Sequence, residues 1–317
     1  MQPIIAPIDK SLLEQELTGD KFLRYTNNGG NILYVVDYKN SPHIMQEIGR
    51  LREIAFRSAG GGTGKNLDTD EFDAAENNHY LQLIVWDPKD KEILGGYRYI
   101  YCKNCIARNL ATSELFDFSE KFVKEYLPQT IELGRSFVQP NYQTTRLRSK
   151  GLYALDNLWD GLGALLLKYS DARYFLGKVT MYGTFNTEAR DMLLYFLRKH
   201  FSDSDNLIVP IVPLETYPDL NKLDKLFTGE TYRDDYKILS KEIRALGENI
   251  PPLINSYMNL SPSMKVFGTA VNHEFGEAEE TGILIKISDI YAEKLERHVG
   301  RPLSKMMKRL RGFRRKY

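Results

Sequence analysis

A chain of 317 residues, 42% hydrophobic and 27% charged, can bury a sizeable core, which excludes disorder as its ground state. Its 43 basic and 42 acidic residues leave a formal charge of +1, so no global field points to nucleic acid, and electrostatic partners must be read from local clusters. The N-terminal MQPIIAPIDKSLLEQ has no basic segment followed by an apolar run, and no stretch approaches the roughly 18 apolar residues of a spanning helix, so a cytoplasmic protein is expected.

Along the chain, 31–37 (NILYVVD) reads as a strand, and 42–56 places Ile44, Ile48, Leu51 and Ala55 at helical spacing. The Gly-rich and then acidic stretch 60–73 is expected to be a loop. Residues 80–86 and 93–101 are aromatic and β-branched runs around Asp87-Pro88-Lys89-Asp90, which predicts a β-hairpin. A short helix over 118–126 and a strand over 130–138, closed by Pro140, should follow. Residues 151–169 predict the longest apolar helix, followed by a strand over 173–181 and a helix over 187–201 capped by Asn186. The stretch 203–246 is richer in Asp, Lys and Pro and breaks this rhythm, while 264–271 and 282–287 read as two more strands.

This order implies an α/β fold with a mixed sheet flanked by helices. The last strands are too few for a core of their own. One domain over 1–300 is therefore expected, with a helical insertion or cap near 203–250 and a basic tail over 301–317.

Several motifs invite chemistry. Cys102 and Cys105 form a lone C-x-x-C with no second pair to complete a zinc site, and read as ordinary thiols in a hairpin with Lys103-Asn104 at its tip. No metal site is expected. The string Gly60-Gly61-Gly62-Thr63-Gly64-Lys65 fails as a phosphate loop, because Ala59 stands where the first Gly is needed, Asn66 follows the Lys, and a helix precedes it. It reads either as a loop that swings over a site or as a connector. Next, Asp68, Asp70, Glu71 and Asp73 crowd four carboxylates into six residues without the glycine and distal Glu of a calcium loop. They fit cation recognition or a solvated acidic loop.

Arg98 in Gly95-Gly96-Tyr97-Arg98-Tyr99, and Glu132 with Arg135 in Glu132-Leu133-Gly134-Arg135-Ser136, sit on otherwise apolar strands, where charge is costly unless paired. An ionic network across the sheet is one reading. In the other, the same network holds Glu132 ionised to accept a proton from an amine.

Arg52 with Phe56, the Asp70-to-Asp73 string, Gly96-Tyr97-Arg98, Ser113-Glu114-Leu115-Phe116 and Glu132 through Val138, in that order, resemble the hemolysin-like GNAT family of acyl-ornithine and acyl-glycine N-acyltransferases. More distantly they resemble acyl-homoserine-lactone synthases. Leu158-Trp159, Gly161, Pro251-Pro252-Leu253, Tyr257 and the 267–275 region extend the likeness over about residues 30–290. The resemblance implies a GNAT-like sheet splayed between two central strands and an acyl donor carried on the phosphopantetheine of acyl carrier protein, or acyl-CoA, with no permanently bound cofactor. It implies Glu132, Asp70 and Asp73 as catalytic groups, and Arg52, Phe56, Arg98, Arg135, Ser136 and Val138 as substrate-binding ones. One stretch departs from the pattern: in 148–153 (RSKGLY), Tyr153 replaces the second small residue of the pyrophosphate turn, which favours the carrier protein over free CoA.

The function expected is transfer of a long acyl chain, with 3-hydroxylation open, to the amino group of a small amino acid in aminolipid biosynthesis. Glycine is the first choice of acceptor and ornithine the alternative. The rival is a non-catalytic, hemolysin-like lipid- or membrane-binding protein on the same scaffold. The tail 301–317 (RPLSKMMKRLRGFRRKY) suggests contact with the anionic inner membrane face or an acidic partner, and nucleic acid is not expected.

Overall fold

The computed structural model describes residues 1–142 and 148–300, and all of their side chains except those of 148–152. The basic tail 301–317, and the side chains of the 148–153 signature other than Tyr153, lie outside the described residues.

In chain order the elements are α1 (Lys10–Glu16), β1 (Phe22–Tyr25), β2 (Ile32–Val36), α2 (Pro42–Ser58), α3 (Glu71–Ala74), β3 (Leu81–Asp87), β4 (Glu92–Tyr101), β5 (Phe116–Phe118), β6 (Thr130–Val138), α4 (Arg148–Lys168), β7 (Tyr174–Met181), α5 (Thr187–Phe201), β8 (Ile208–Pro210), α6 (Leu220–Leu226), α7 (Tyr232–Ala245), α8 (Pro252–Met258), β9 (Lys265–Asn272), β10 (Ala278–Lys286) and α9 (Ala292–Val299). Eight strands form one sheet in the order β1-β2-β3-β4-β6-β7-β10-β9, and β5 pairs with β8 in a separate ribbon. Within the sheet every neighbouring pair is antiparallel except β6 and β7, which run parallel.

Strand alternation sends successive side chains to opposite faces. Leu33, Leu83, Tyr97, Ile131, Leu133 and Phe175 face one side, which α4 and α5 cover together with α7, α8 and α9. Val36, Ile84 and Trp86 face the other and meet Ile44, Ile48 and Leu51 of α2. Helix α2 begins with Pro42 at its first turn and buries one stripe at the expected spacing. Farther along that second face, Ile100, Leu176 and Leu284 pack against Phe116 and Phe122. Leu223, Phe227, Leu239 and Ile243, from the stretch expected to be an insertion, join the core on the α4 side.

Three local expectations change. Strand β4 does not turn back at Lys103-Asn104. Cys102–Asn104 forms a 3-10 turn, and the chain returns to pair with β4 only at β6, after filling a small core of its own with Leu110, Phe116 and Phe122. The helix expected over 118–126 forms from Glu120, just after strand β5, and widens to a π-helical turn at Phe122–Tyr126. That arrangement stacks Phe118 on Phe122 and Phe122 on Tyr126, with centroids 5.3 and 5.8 Å apart. The glycine loop is also tied down. The Glu53 carboxylate accepts from Thr63 N at 3.0 Å, Thr63 Oγ1 at 2.8 Å and Gly64 N at 2.8 Å.

Candidate active site

The sheet opens at its only parallel pair among the described residues. β6 and β7 are in register from Thr130 opposite Tyr174 to Leu133 opposite Gly177, and then part. The divergence has a local cause on β6. Its register against β4 shifts between Gly96 and Arg98, and Arg135 adopts φ 47°, a left-handed conformation rare outside glycine. This bulge bends the strand. Gly95 lets β4 follow it closely, since a Cβ there would lie 2.5 Å from Phe137 O.

A cavity of about 730 Å³ occupies the opening, walled by 133–138 of β6 and by Gly177, Lys178, Thr180 and Met181 of β7. Because its lining includes residues from both faces, it passes through the sheet between the two strands. On the α4 side the wall is mainly apolar, with Tyr97, Leu155, Phe175, Leu253, Tyr257 and Ile283, and Glu248, which accepts from Asn186 N at 3.1 Å, also lines the cavity. On the α2 side the charged groups are Arg98, Glu132, Arg135, Lys178 and Glu280, beneath Phe56, Tyr182 and Phe275.

Glu132 anchors the polar arm. Its Oε1 accepts from Thr112 N at 2.9 Å and Thr112 Oγ1 at 2.8 Å, and its Oε2 accepts from Tyr80 OH at 2.8 Å. Each carboxylate oxygen takes about two hydrogen bonds, so Oε2 keeps one position open. Burial, and then the Glu132 charge, push the Tyr80 phenol well above its ordinary range, so this donor stays protonated. No cationic side chain among the described residues forms an ion pair with Glu132.

The acidic string lies behind this wall. Arg98 Nη1 donates to Asp70 Oδ1 at 2.6 Å and sits 3.6 Å from Asp73. Arg135 Nε donates to Asp68 Oδ1 at 3.0 Å, and its guanidinium lies 4.7 Å from the Phe275 ring centroid. Arg52, fully buried, donates to Asp73 at 3.1 Å and to Gln82 at 2.5 Å, while Gln82 Nε2 donates to Asp73 at 2.8 Å. Asp70 also caps α3, accepting from Phe72 N at 3.1 Å and Asp73 N at 3.2 Å. Burial raises its pKa, but Arg98, followed by Arg135 and Arg52, more than offsets this and brings it to about 2.

These contacts divide the expected site residues into two groups. Asp70, Asp73 and Arg52 do not line the cavity. A carboxyl that ionises near 2 is a poor proton acceptor at neutral pH, and Asp73 is committed to Arg52 and Gln82. The three act as the frame that holds Arg98 and Arg135. Phe56, Arg98, Glu132, Arg135, Ser136 and Val138 do line the cavity. Reasoning from sequence missed Lys178 and Glu280, which face each other at 2.9 Å on β7 and β10. A signal was available for Lys178, a charge inside the apolar strand YFLGKVTM, but not for Glu280, which sits between Glu279 and Thr281 ahead of the strand expected over 282–287.

A mixed sheet whose central parallel pair parts at a bulge, over a cavity with one polar and one apolar arm, is a GNAT-type arrangement. The family model described as an acetyltransferase (GNAT) domain matches residues 51–150. The glycine N(alpha)-acyltransferase of Phocaeicola vulgatus is 56% identical over 304 residues, covering 94% of this chain and 93% of the relative. The chain belongs to the family of this GNAT-type acyltransferase. The L-ornithine N(alpha)-acyltransferase of Agrobacterium fabrum is 28% identical over 222 residues, 68% of this chain and 67% of that one. The solved structure of a CoA-dependent acyl-homoserine lactone synthase, BjaI, with MTA matches 86% of this chain and 91% of that chain at 10% identity and a TM-score of 0.37. Among the described residues, no helix is long and apolar enough to cross a membrane.

Proposed function

We propose that this acyltransferase moves a long acyl chain from a phosphopantetheine thioester to the amino group of glycine. The observation that carries the reading is the cavity through the sheet, because it brings an apolar channel and an unpaired carboxylate to the same gap. The acyl tail lies in the α4-side arm, where its burial contributes about 0.8 kcal/mol per methylene. The pantetheine arm runs along the parted edges of β6 and β7, and backbone N–H groups beyond Leu133 polarise the thioester carbonyl.

The acceptor enters from the α2 side as an ammonium ion attracted to Glu132. Glu132 takes one proton through the open position on Oε2, and the free amine attacks the carbonyl to give a tetrahedral oxyanion. Collapse expels the thiolate, which takes the second proton from the attacking nitrogen and leaves as the free thiol; Glu132 returns its proton to water, and no covalent enzyme intermediate forms. Glycine as acceptor is supported by the relative that is 56% identical, and the ornithine enzyme is the more distant one. A carrier-protein donor is supported by Tyr153 in the 148–153 signature, where a pyrophosphate turn calls for a small residue. Aminolipid synthesis and contact of 301–317 with an anionic membrane complete the proposal.

The test is free-thiol release by the purified protein from long-chain acyl carrier protein and from acyl-CoA, each with and without glycine. Glycine-dependent release, faster from the carrier protein, is expected. Release that ignores glycine would overturn the acceptor, and faster release from acyl-CoA would overturn the donor.

A further inference from the structure

We infer that Lys178 is the binding site for the carboxylate of the acceptor, so that with Glu132 it makes the enzyme select α-amino acids over simple amines. This deepens the reading above and rests on it. Lys178 is the first residue of β7 beyond its last pair with β6, where the strands part. Strand alternation turns its side chain to the face that carries Glu132. That side chain is only 15% exposed, and its ammonium lies 2.9 Å from Glu280 Oε2 and 3.2 Å from Ala111 O. An ammonium has three N–H donors, so one remains for the cavity.

The other two cations of the polar arm also line the cavity, but carboxylates hold them in charge-assisted hydrogen bonds. Arg98 uses Nη1 on both oxygens of Asp70, and Arg135 uses Nε and Nη2 on Asp68 and Asp70, all behind the wall. Glu280 Oε1 takes Asn272 Nδ2 at 3.3 Å, so Glu280 meets Lys178 through Oε2 alone.

Spacing favours a zwitterion. Lys178 donates to Ala111 O, and Glu132 accepts from Thr112 N, which belongs to the same peptide unit. Nζ of Lys178 and Oε1 of Glu132 are therefore no more than about 8 Å apart, and the open Oε2 lies at most about 2 Å farther. A lone carboxylate and a cation with a spare donor, so placed, complement an ammonium and a carboxylate separated by one carbon. A simple amine satisfies only the first.

The experiment measures kcat and KM for glycine and for glycinamide, which keeps the amine and lacks the carboxylate, with wild type, Lys178→Met and Lys178→Arg. Wild type should prefer glycine. Lys178→Met should lower kcat/KM for glycine about ten- to a hundred-fold, chiefly through KM, and erase the preference, because a charge-assisted hydrogen bond is lost. Lys178→Arg should restore part of it. The inference is overturned if Lys178→Met lowers both acceptors by the same factor, which is what a merely structural lysine predicts, or if wild type acylates the two equally. A wild type that acylates neither overturns the acceptor reading as well.

Discussion

Replacing Glu132 by Gln keeps the size of the side chain and removes its charge. In the structure Glu132 takes three hydrogen bonds, at 2.8, 2.8 and 2.9 Å, and its Oε2 partner Tyr80 OH accepts in turn from Ala111 N at 2.9 Å. The carbonyl of Gln can still serve Thr112, but its NH₂ would confront the Tyr80 hydroxyl, which already has its N–H donor. One buried hydrogen bond to a charged acceptor is lost, so Glu132→Gln should cost about 2 kcal/mol of stability and lower Tm by several degrees. Its effect on chemistry should be far larger. A general base contributes about 10²- to 10⁴-fold, so thiol release at saturating glycine should fall by at least two orders of magnitude while the circular dichroism spectrum stays unchanged. Turnover above about a tenth of wild type in a folded Glu132→Gln protein would refute the assignment.

Two further substitutions separate frame from channel. Asp70 titrates near 2 in the folded chain and near 3.8 unfolded. The unfolded state therefore binds its proton more tightly, and its contribution, on the order of 2 kcal/mol, is full above about pH 4 and lost as pH falls through about 2. Asp70→Asn should lose about 2 to 4 kcal/mol in denaturant melts at pH 7, since it leaves Arg98 and Arg135 under-compensated, and should converge with wild type toward pH 2. Equal midpoints at pH 7 would contradict the frame role. Leu253, on α8, lines the apolar arm, and Leu253→Trp should shift donor preference to shorter acyl chains, read as the ratio of kcat/KM between long and medium chains. An unchanged ratio would place the chain elsewhere.

What could be read in the sequence follows from what side chains report locally. Helix α5 with its Asn186 cap and strands β3, β4 and β6 were legible because period and punctuation agree along each segment. Strand β1 was not, since Phe22–Tyr25 is a short, half-exposed edge with little pattern to show. For the site, the motifs pointed to Glu132, Arg98 and Arg135, all of which wall the cavity. They could not tell which carboxylates meet the cavity and which stand behind it. Asp70 and Asp73 look as available as Glu132 until the sheet puts Arg98 in front of them. Lys178 was missed for a related reason: its partners Ala111 and Glu280 come from distant segments that only tertiary packing assembles.

The most direct test is mass spectrometry of lipids from a host expressing the full chain, with cells expressing Glu132→Gln as the control. A new family of N-acylglycines with long acyl chains, present with wild type and absent with the variant, is the predicted result. N-acylornithine in its place, or no new acylated amine from a folded wild-type protein, would contradict the account.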